Sequence, residues 1–335
     1  MVDKSNEYGF VGASPTQSSS ANTGIFEVND VVDLLQAGQY KLQFYVEHLV
    51  IAGGASGGVE FGGGGGAGGY RCSVLGENSG GGDSAEDFAT INPDGTTYTV
   101  TIGAGGAGRG PRSVPGASSP SDGISGNNSV FATITSTGGG AGGGVNPDQP
   151  GTDGGSGGGS GRSTSDPGLG TSGQGFDGGN APSGNGGAGG GGASEVGYNQ
   201  PSTNNGGAGG DGVASSITGS SVTRAGGGGG AGYGTVGGSG GAGGAGGGGA
   251  GLNTSAGGAG GTGAVNTGSG GGAGGYNGAG NSESGPGGSG VVILRYPSAY
   301  DITTSGLTTS SKNVVDGDEK YTVITAGIGG TVSWS

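Results

Sequence analysis

Runs of β-branched and aromatic residues alternate along this chain with runs that carry almost no side chain. Tyr40–Ile51 (YKLQFYVEHLVI), apolar but for a few polar positions such as Glu47 and His48, predicts a strand. It opens directly into Ala52-Gly53-Gly54, and the same junction recurs. Thr96–Ile102 (TTYTVTI) sets Tyr98, Val100 and Ile102 on one face and Thr97, Thr99 and Thr101 on the other, then enters GAGGAGRG. Ser129–Thr135 (SVFATIT) enters STGGGAGGG, and Ser216–Arg224 (SITGSSVTR) enters AGGGGGAGYG. Further on the order reverses, with Gly287–Gly290 leading into Val291–Tyr296 (VVILRY). A last pair of strands is expected at Lys320–Thr325 and Gly330–Trp334, after a turn at Asp316-Gly317-Asp318. One short helix is predicted, at Asp30–Ala37. Asn29 or Asp30 caps it, Val31, Val32, Leu34 and Leu35 form its apolar side, and Gly38 stops it.

Composition changes the picture because of what lies between the strands. Glycine fills 101 of 335 positions, and only 28% of residues are hydrophobic, so an oily core can involve only part of the chain. Blocks such as Gly62–Gly69, Gly186–Gly192, Gly226–Gly230 and Gly237–Gly249 admit three physical readings: flexible linker, phosphate-cradling loop, or a packed structure. Linkers are rich in Lys, Glu and Gln, whereas these blocks are interrupted by Ala and Ser. A phosphate loop needs a following helix or a Gly-Lys-Ser/Thr triplet, and neither accompanies Gly103–Gly108.

The remaining reading is a bundle of polyglycine helices of the polyproline II type, with three residues per turn and no internal hydrogen bonds. Every N–H and C=O then points outward to a neighbouring helix, which can approach only where no Cβ intervenes. Ordering a residue costs about 1–2 kcal/mol and a hydrogen bond returns about 0.5–1.5 kcal/mol net, so nearly every amide must be paired. Ala and Ser are expected on the outer faces. The expected fold is mostly β: a short-stranded sandwich or sheet combined with a packed polyglycine II bundle. An arm over residues 1–39 precedes this 40–297 region, and a β extension over 298–335 follows it.

Charge and chemistry narrow the function. A net charge of −14 argues against nucleic acid and anionic membrane partners. Cys72 and His48 are the only residues of their kinds, which removes disulfides, cysteine zinc sites and Ser-His-Asp or multi-histidine chemistry. No signal peptide or membrane span is expected, the longest wholly apolar run being Leu49–Ala52. Asp83, Glu86 and Asp87 lack calcium-loop spacing, and Asp153, Asp166 and Asp177 read as turn residues. No catalytic, cofactor or metal residue is predicted. Loops on a rigid scaffold are where recognition resides, so Asp148, Gln149, Phe176, Tyr198, Asn199 and Gln200, in the inserts between glycine blocks, are candidate contact residues. Tyr8, Phe10, Ile25, Phe26, Val31, Leu34 and Leu35 are candidate anchoring residues in the arm.

The strand-to-glycine junctions VEHLVIAGGASGG (Val46–Gly58), YTVTIGAGGAG (Tyr98–Gly108), SVFATITSTGGGAGGG (Ser129–Gly144) and GGSGVVILRY (Gly287–Tyr296) resemble the glycine-rich domain of bacteriophage tail-fibre and virion proteins, over about residues 41–297. The resemblance implies a non-enzymatic virion protein, assembled in a bacterial cytoplasm, with glycine helices packed against β-strands. It implies recognition through loops at the bundle tip, and no residue-level receptor motif carries over. The expected role is a tail-fibre or tail-tip component aiding host attachment. Partners would be other virion proteins, copies of itself (a homotrimer is expected) and a host-surface glycan or protein. A capsid-decorating protein is the alternative, and an ice-binding protein a more remote one.

Overall fold

The computed structural model describes residues 43–110, 122–144, 150–234, 237–252, 258–276 and 282–335. The predicted helix at Asp30–Ala37, the seven arm residues, Asp148 and Gln149 lie outside them.

Fifteen strands form in chain order. They are β1 Phe44–Ile51, β2 Tyr70–Cys72, β3 Ala89–Ile91, β4 Tyr98–Thr101, β5 Ser129–Phe131, β6 Ile134–Ser136, β7 Val213–Ser215 and β8 Val222–Arg224. There follow β9 Gly258–Ala259, β10 Ser282–Glu283, β11 Val291–Pro297, β12 Ile302–Ser305, β13 Thr308–Asp316, β14 Glu319–Ala326 and β15 Gly330–Trp334. Two sheets make a sandwich. One runs β13-β14-β11-β1-β2, with β3 also on β1, and the other β12-β15-β4-β5-β6. Between them pack Phe44, Val46, Val50, Val292, Leu294, Tyr296 and Ile324 from the first, and Val100, Phe131, Ile302, Val332 and Trp334 from the second.

The alternate residues of β1 and β11 are buried too. Leu49, Ile51, Val291 and Ile293 join Tyr70, Cys72, Ala67, Ala193, Ile217 and Ala225 in a second core, where the sandwich meets the glycine region. Burial on both faces is why LVI and VVIL read as continuous apolar runs rather than alternating ones.

Two strand expectations change. Ser129–Thr135 is a hairpin, β5 and β6, turning at Ala132 with φ +52°. Ser216–Arg224 supplies only β8, which pairs with β7 across a turn holding Gly219 at φ +81°. The last two expected strands form, as β14 and β15, in different sheets: β14 lies between β11 and β13, and β15 between β4 and β12. The unforeseen β12 and β13 are built mainly from Thr and Ser, whose half-exposed strand faces give little apolar signal.

The glycine blocks form a lattice of parallel and antiparallel rods. Along rod 52–58 the amides follow a three-residue rota. Ala52, Ala55 and Gly58 donate to Gly69, Gly66 and Gly63; Gly53 and Ser56 donate to Asn127 and Ile124; Gly54 and Gly57 donate to Gly288 and Gly285. The carbonyls follow the same rota, accepting from Gly139 and Gly142, from Gly106, and from Gly271 and Gly274. Rod 52–58 therefore touches six others. Rods 62–69, 187–193, 225–231 and 268–276 are surrounded in the same way. This is the hydrogen-bonding demand of a helix with three residues per turn and no internal bonds, met in rod 52–58 by every amide N–H and most of the carbonyls.

Alanine and serine do not keep to the outer faces. Ala52, Ala55, Ser56, Ser160 and Ala188 are fully buried. Ser56 Oγ accepts the Ile124 N–H at 2.7 Å and Ser160 Oγ the Ala181 N–H at 2.8 Å, so each hydroxyl supplies an acceptor of its own. Outer rods, lacking a neighbour on one side, borrow side chains instead. The Asp122, Asp153, Asp177 and Asp211 carboxylates accept N–H groups from Gly144, Leu169, Gly170 and Ala245. Asp153 and Asp177, read as turn residues, thus close the edge of the lattice.

Candidate functional site

Each rod has one end toward the sandwich and one away from it. Loops 59–61, 162–166, 181–185 and 201–205 join rods at the far end, and residues 232–234 lie beside them. Arg162 N–H donates to Phe61 O, Ala181 to Thr164 O, Asn185 to Thr203 O and Tyr233 to Asn204 O. The sequence puts an aromatic residue at that end of several blocks, before Gly62 and after the blocks ending at Gly232 and Gly275, and the three rings converge.

Phe61 is buried beneath the other two. It stacks on Tyr276 at 4.8 Å between centroids (26° between planes) and meets Tyr233 at 5.2 Å, while the two tyrosines are 6.4 Å apart. The Arg162 guanidinium lies 4.9 Å from the Phe61 ring centre, with Nη1 donating to Asn185 Oδ1 at 3.2 Å. Glu60 and Phe61 hold φ values of +53° and +65°, a region costly for residues with a Cβ. Two such residues in succession cost roughly 1–3 kcal/mol each, a strain that clusters at functional sites. The tip thus offers two half-buried tyrosines on a rigid ring platform, ringed by the Asn185, Asn204 and Thr203 loops. Such a surface can stack on a ligand and hydrogen-bond its edge.

Of the sequence-predicted contact residues, Phe176, Tyr198, Asn199 and Gln200 are among the described ones. Phe176 lies toward the sandwich end of rod 175–180, its N–H bonded to Gly192 O and its carbonyl to Gly157 N–H. Tyr198, Asn199 and Gln200 lie on the adjacent rod 195–200, with Tyr198 N–H and C=O bonded to Ala208 and Gly189. The exposed Tyr198 hydroxyl donates to Glu195 Oε1 at 2.6 Å, and that contact holds its pKa above the ordinary phenol value. Asn199 Oδ1 accepts the Asn180 N–H at 2.8 Å. These residues occupy the flank of two rods, with Gln200 adjoining the tip loop 201–205. The tip residues Phe61, Arg162, Tyr233 and Tyr276 escaped sequence reasoning; the available signal was an isolated aromatic at the end of a glycine block.

Among the described residues no group of three or more His, Cys, Asp or Glu could hold a metal ion, and no helix is long and apolar enough to cross a membrane. No curated protein matches the chain. The glycine-rich domain family matches residues 41–297, the span from β1 to β11 that contains both the rods and the tip, and the chain belongs to that family.

Proposed function

We propose that this protein is a non-enzymatic structural component of a bacteriophage particle, a tail-fibre or tail-tip subunit that carries a contact surface at the end of a stiff glycine bundle. The observation that carries this reading is the polarity of the molecule. The tip loops gather at one end of the lattice. At the other, Phe44, where β1 begins, stacks on Tyr300 at 4.2 Å and packs against Trp334 of the last strand. Residue 43, where the described chain begins, therefore lies at the end opposite the tip. An arm that docks onto the particle through Tyr8, Phe10, Ile25, Phe26, Val31, Leu34 and Leu35 would point the tip outward, as attachment to a host surface requires. Lattice rods with six hydrogen-bonded neighbours supply the stiffness.

Two sets of phage particles test this. Deletion of residues 2–35 should leave a folded protein that no longer enters particles. Tyr233→Ala and Arg162→Ala should leave incorporation intact and reduce host adsorption at least tenfold. Normal incorporation of the deletion variant would remove the anchoring role. Unchanged adsorption of the tip variants would favour a capsid-decorating or spacer role.

A further inference from the structure

A groove of about 1100 Å³ opens on the side of the molecule, away from the tip, where the sandwich meets the bundle. One wall is β3 with the loop 83–88. The other is formed by residues 97–99, entering β4, and by the β5–β6 turn, and residues 172–174 of the bundle close one end. All of these are tied to the lattice or the sheets. Gln174 Oε1 accepts the Thr137 N–H at 2.8 Å and Gln174 O accepts the Tyr70 N–H, so the walls are pre-formed.

Its chemistry is specific. Arg71 donates a two-pronged pair of hydrogen bonds to Glu86, at 2.7 and 2.8 Å, and reaches across to Thr135 O of β6 at 3.2 Å. Behind Glu86 lies His48, fully buried on β1, with Nε2 at 3.7 Å from Glu86 Oε2 and no hydrogen-bond partner on either ring nitrogen. Glu86 is thereby a fixed, charged acceptor. Asp83 and Asp87 stand exposed on the same wall and make no ion pair among the described residues. Thr90, Thr99, Thr133 and Ser172 add hydroxyls, and Tyr98 lines the floor. At the rim the exposed Phe88 ring tilts against exposed Tyr45, 6.2 Å between centroids.

We propose that this groove is a binding site for a neutral oligosaccharide. An anionic ligand would meet two unpaired carboxylates. A cationic one would gain little from them, since exposed ion pairs contribute about 0–1 kcal/mol, and the better-held Glu86 is already matched by Arg71. A purely apolar ligand would strip the hydroxyls of water without replacing their hydrogen bonds. A pyranose chain answers each feature: its hydroxyls suit the threonines and carboxylates, and its C–H face suits Phe88. The volume lies just above the roughly 300–1,000 Å³ of small-ligand sites, which fits several sugar units rather than one. The site is distinct from the tip and stands whether or not the chain is a phage appendage.

Calorimetric titration of the full chain tests this with maltohexaose, cellohexaose and mannohexaose as neutral probes, a hyaluronan hexasaccharide as the anionic one and hexalysine as the cationic one. At least one neutral hexasaccharide should bind, and hyaluronan more weakly. Phe88→Ala and Thr99→Val should each weaken that binding at least tenfold with unchanged Trp334 fluorescence, while Tyr233→Ala leaves it unaltered. Binding by no neutral probe overturns the proposal. So does a neutral probe lost in Tyr233→Ala but indifferent to Phe88→Ala, or tighter hexalysine binding that Asp83→Asn and Asp87→Asn abolish.

Discussion

A Cβ added to Gly64 would fall closer than 3.0 Å to the Gly228 carbonyl oxygen, and both are backbone held within the lattice, so neither can move aside. Gly64→Ala is expected to destabilise the protein by about 2–4 kcal/mol, an overpacking penalty with lost hydrogen bonds added. Gly110 has open space where a Cβ would go and no positive φ. Gly110→Ala should therefore be neutral, or stabilising by up to about 1 kcal/mol through the unfolded chain. Urea denaturation of the two variants separates close approach from mere glycine content, and equal effects would contradict the packed lattice. Glu86 supplies a second residue-scale expectation. Burial alone would raise its carboxyl, but His48 facing it and the Arg71 guanidinium outweigh burial and hold it below the ordinary value. A carboxyl depressed in the folded state stabilises it fully above the unfolded pKa, and that contribution is lost as pH falls through the folded one. Glu86→Gln should lower stability at neutral pH by about 1–3 kcal/mol and flatten the decline on acidification, read from melting temperatures between pH 7 and 3.

At the scale of elements, the three-residue rota makes length matter in a particular way. One glycine inserted after Gly190 turns everything before it by a third of a turn. Gly187, whose N–H bonds Ala231 O, and Ala188, whose N–H bonds Ser160 O, would then face the wrong rods. Three inserted glycines restore each amide to its side and push the surplus turn toward the loop at 181–185. The single insertion should lower the melting temperature more than the triple one; the reverse order would show that the rods lack a fixed rotational register. The strand-to-rod junctions were legible from the sequence, because β-branched runs such as Tyr98–Ile102 stop abruptly at glycine. The glycine-block rods were legible as well, because mainly Ala and Ser interrupt them, whereas rods 175–180 and 195–200, with their larger side chains, read as inserts. Which rod meets which was not legible. Gly65 N–H reaches Gly271 O about two hundred residues away, one near-uniform glycine block pairing with another and no side chain marking the match. For the same reason Phe61, Tyr233 and Tyr276, which end separate blocks, carry no sign of their convergence in the sequence, since it depends on that long-range order.

At the scale of the whole molecule, the sandwich and the bundle share their central strands. β1 and β11 give one face to the sandwich core and the other to the core that seats Ala67, Ala193 and Ala225 of the rods. Neither part can lose its packing without exposing an apolar face of the other, so they should unfold as one cooperative unit. The chain carries a single reporter for each side. Trp334, the only tryptophan, is buried in the sandwich, and Cys72, the only cysteine, in the second core. Burial pushes the Cys72 thiol up to about 12, so the folded protein should resist thiol reagents at pH 8 and react only on opening. With rising urea, Trp334 fluorescence and the rate of Cys72 labelling should report transitions with the same midpoint, the signature of two-state unfolding. Cys72 reacting well before Trp334 responds would mean that the lattice lifts away while the sandwich stands. The strands that continue on both sides of the junction would then hold the two parts together without coupling them. Stiffness along the long axis depends on that coupling, because a tip that can detach from the sandwich cannot transmit force to whatever holds the opposite end.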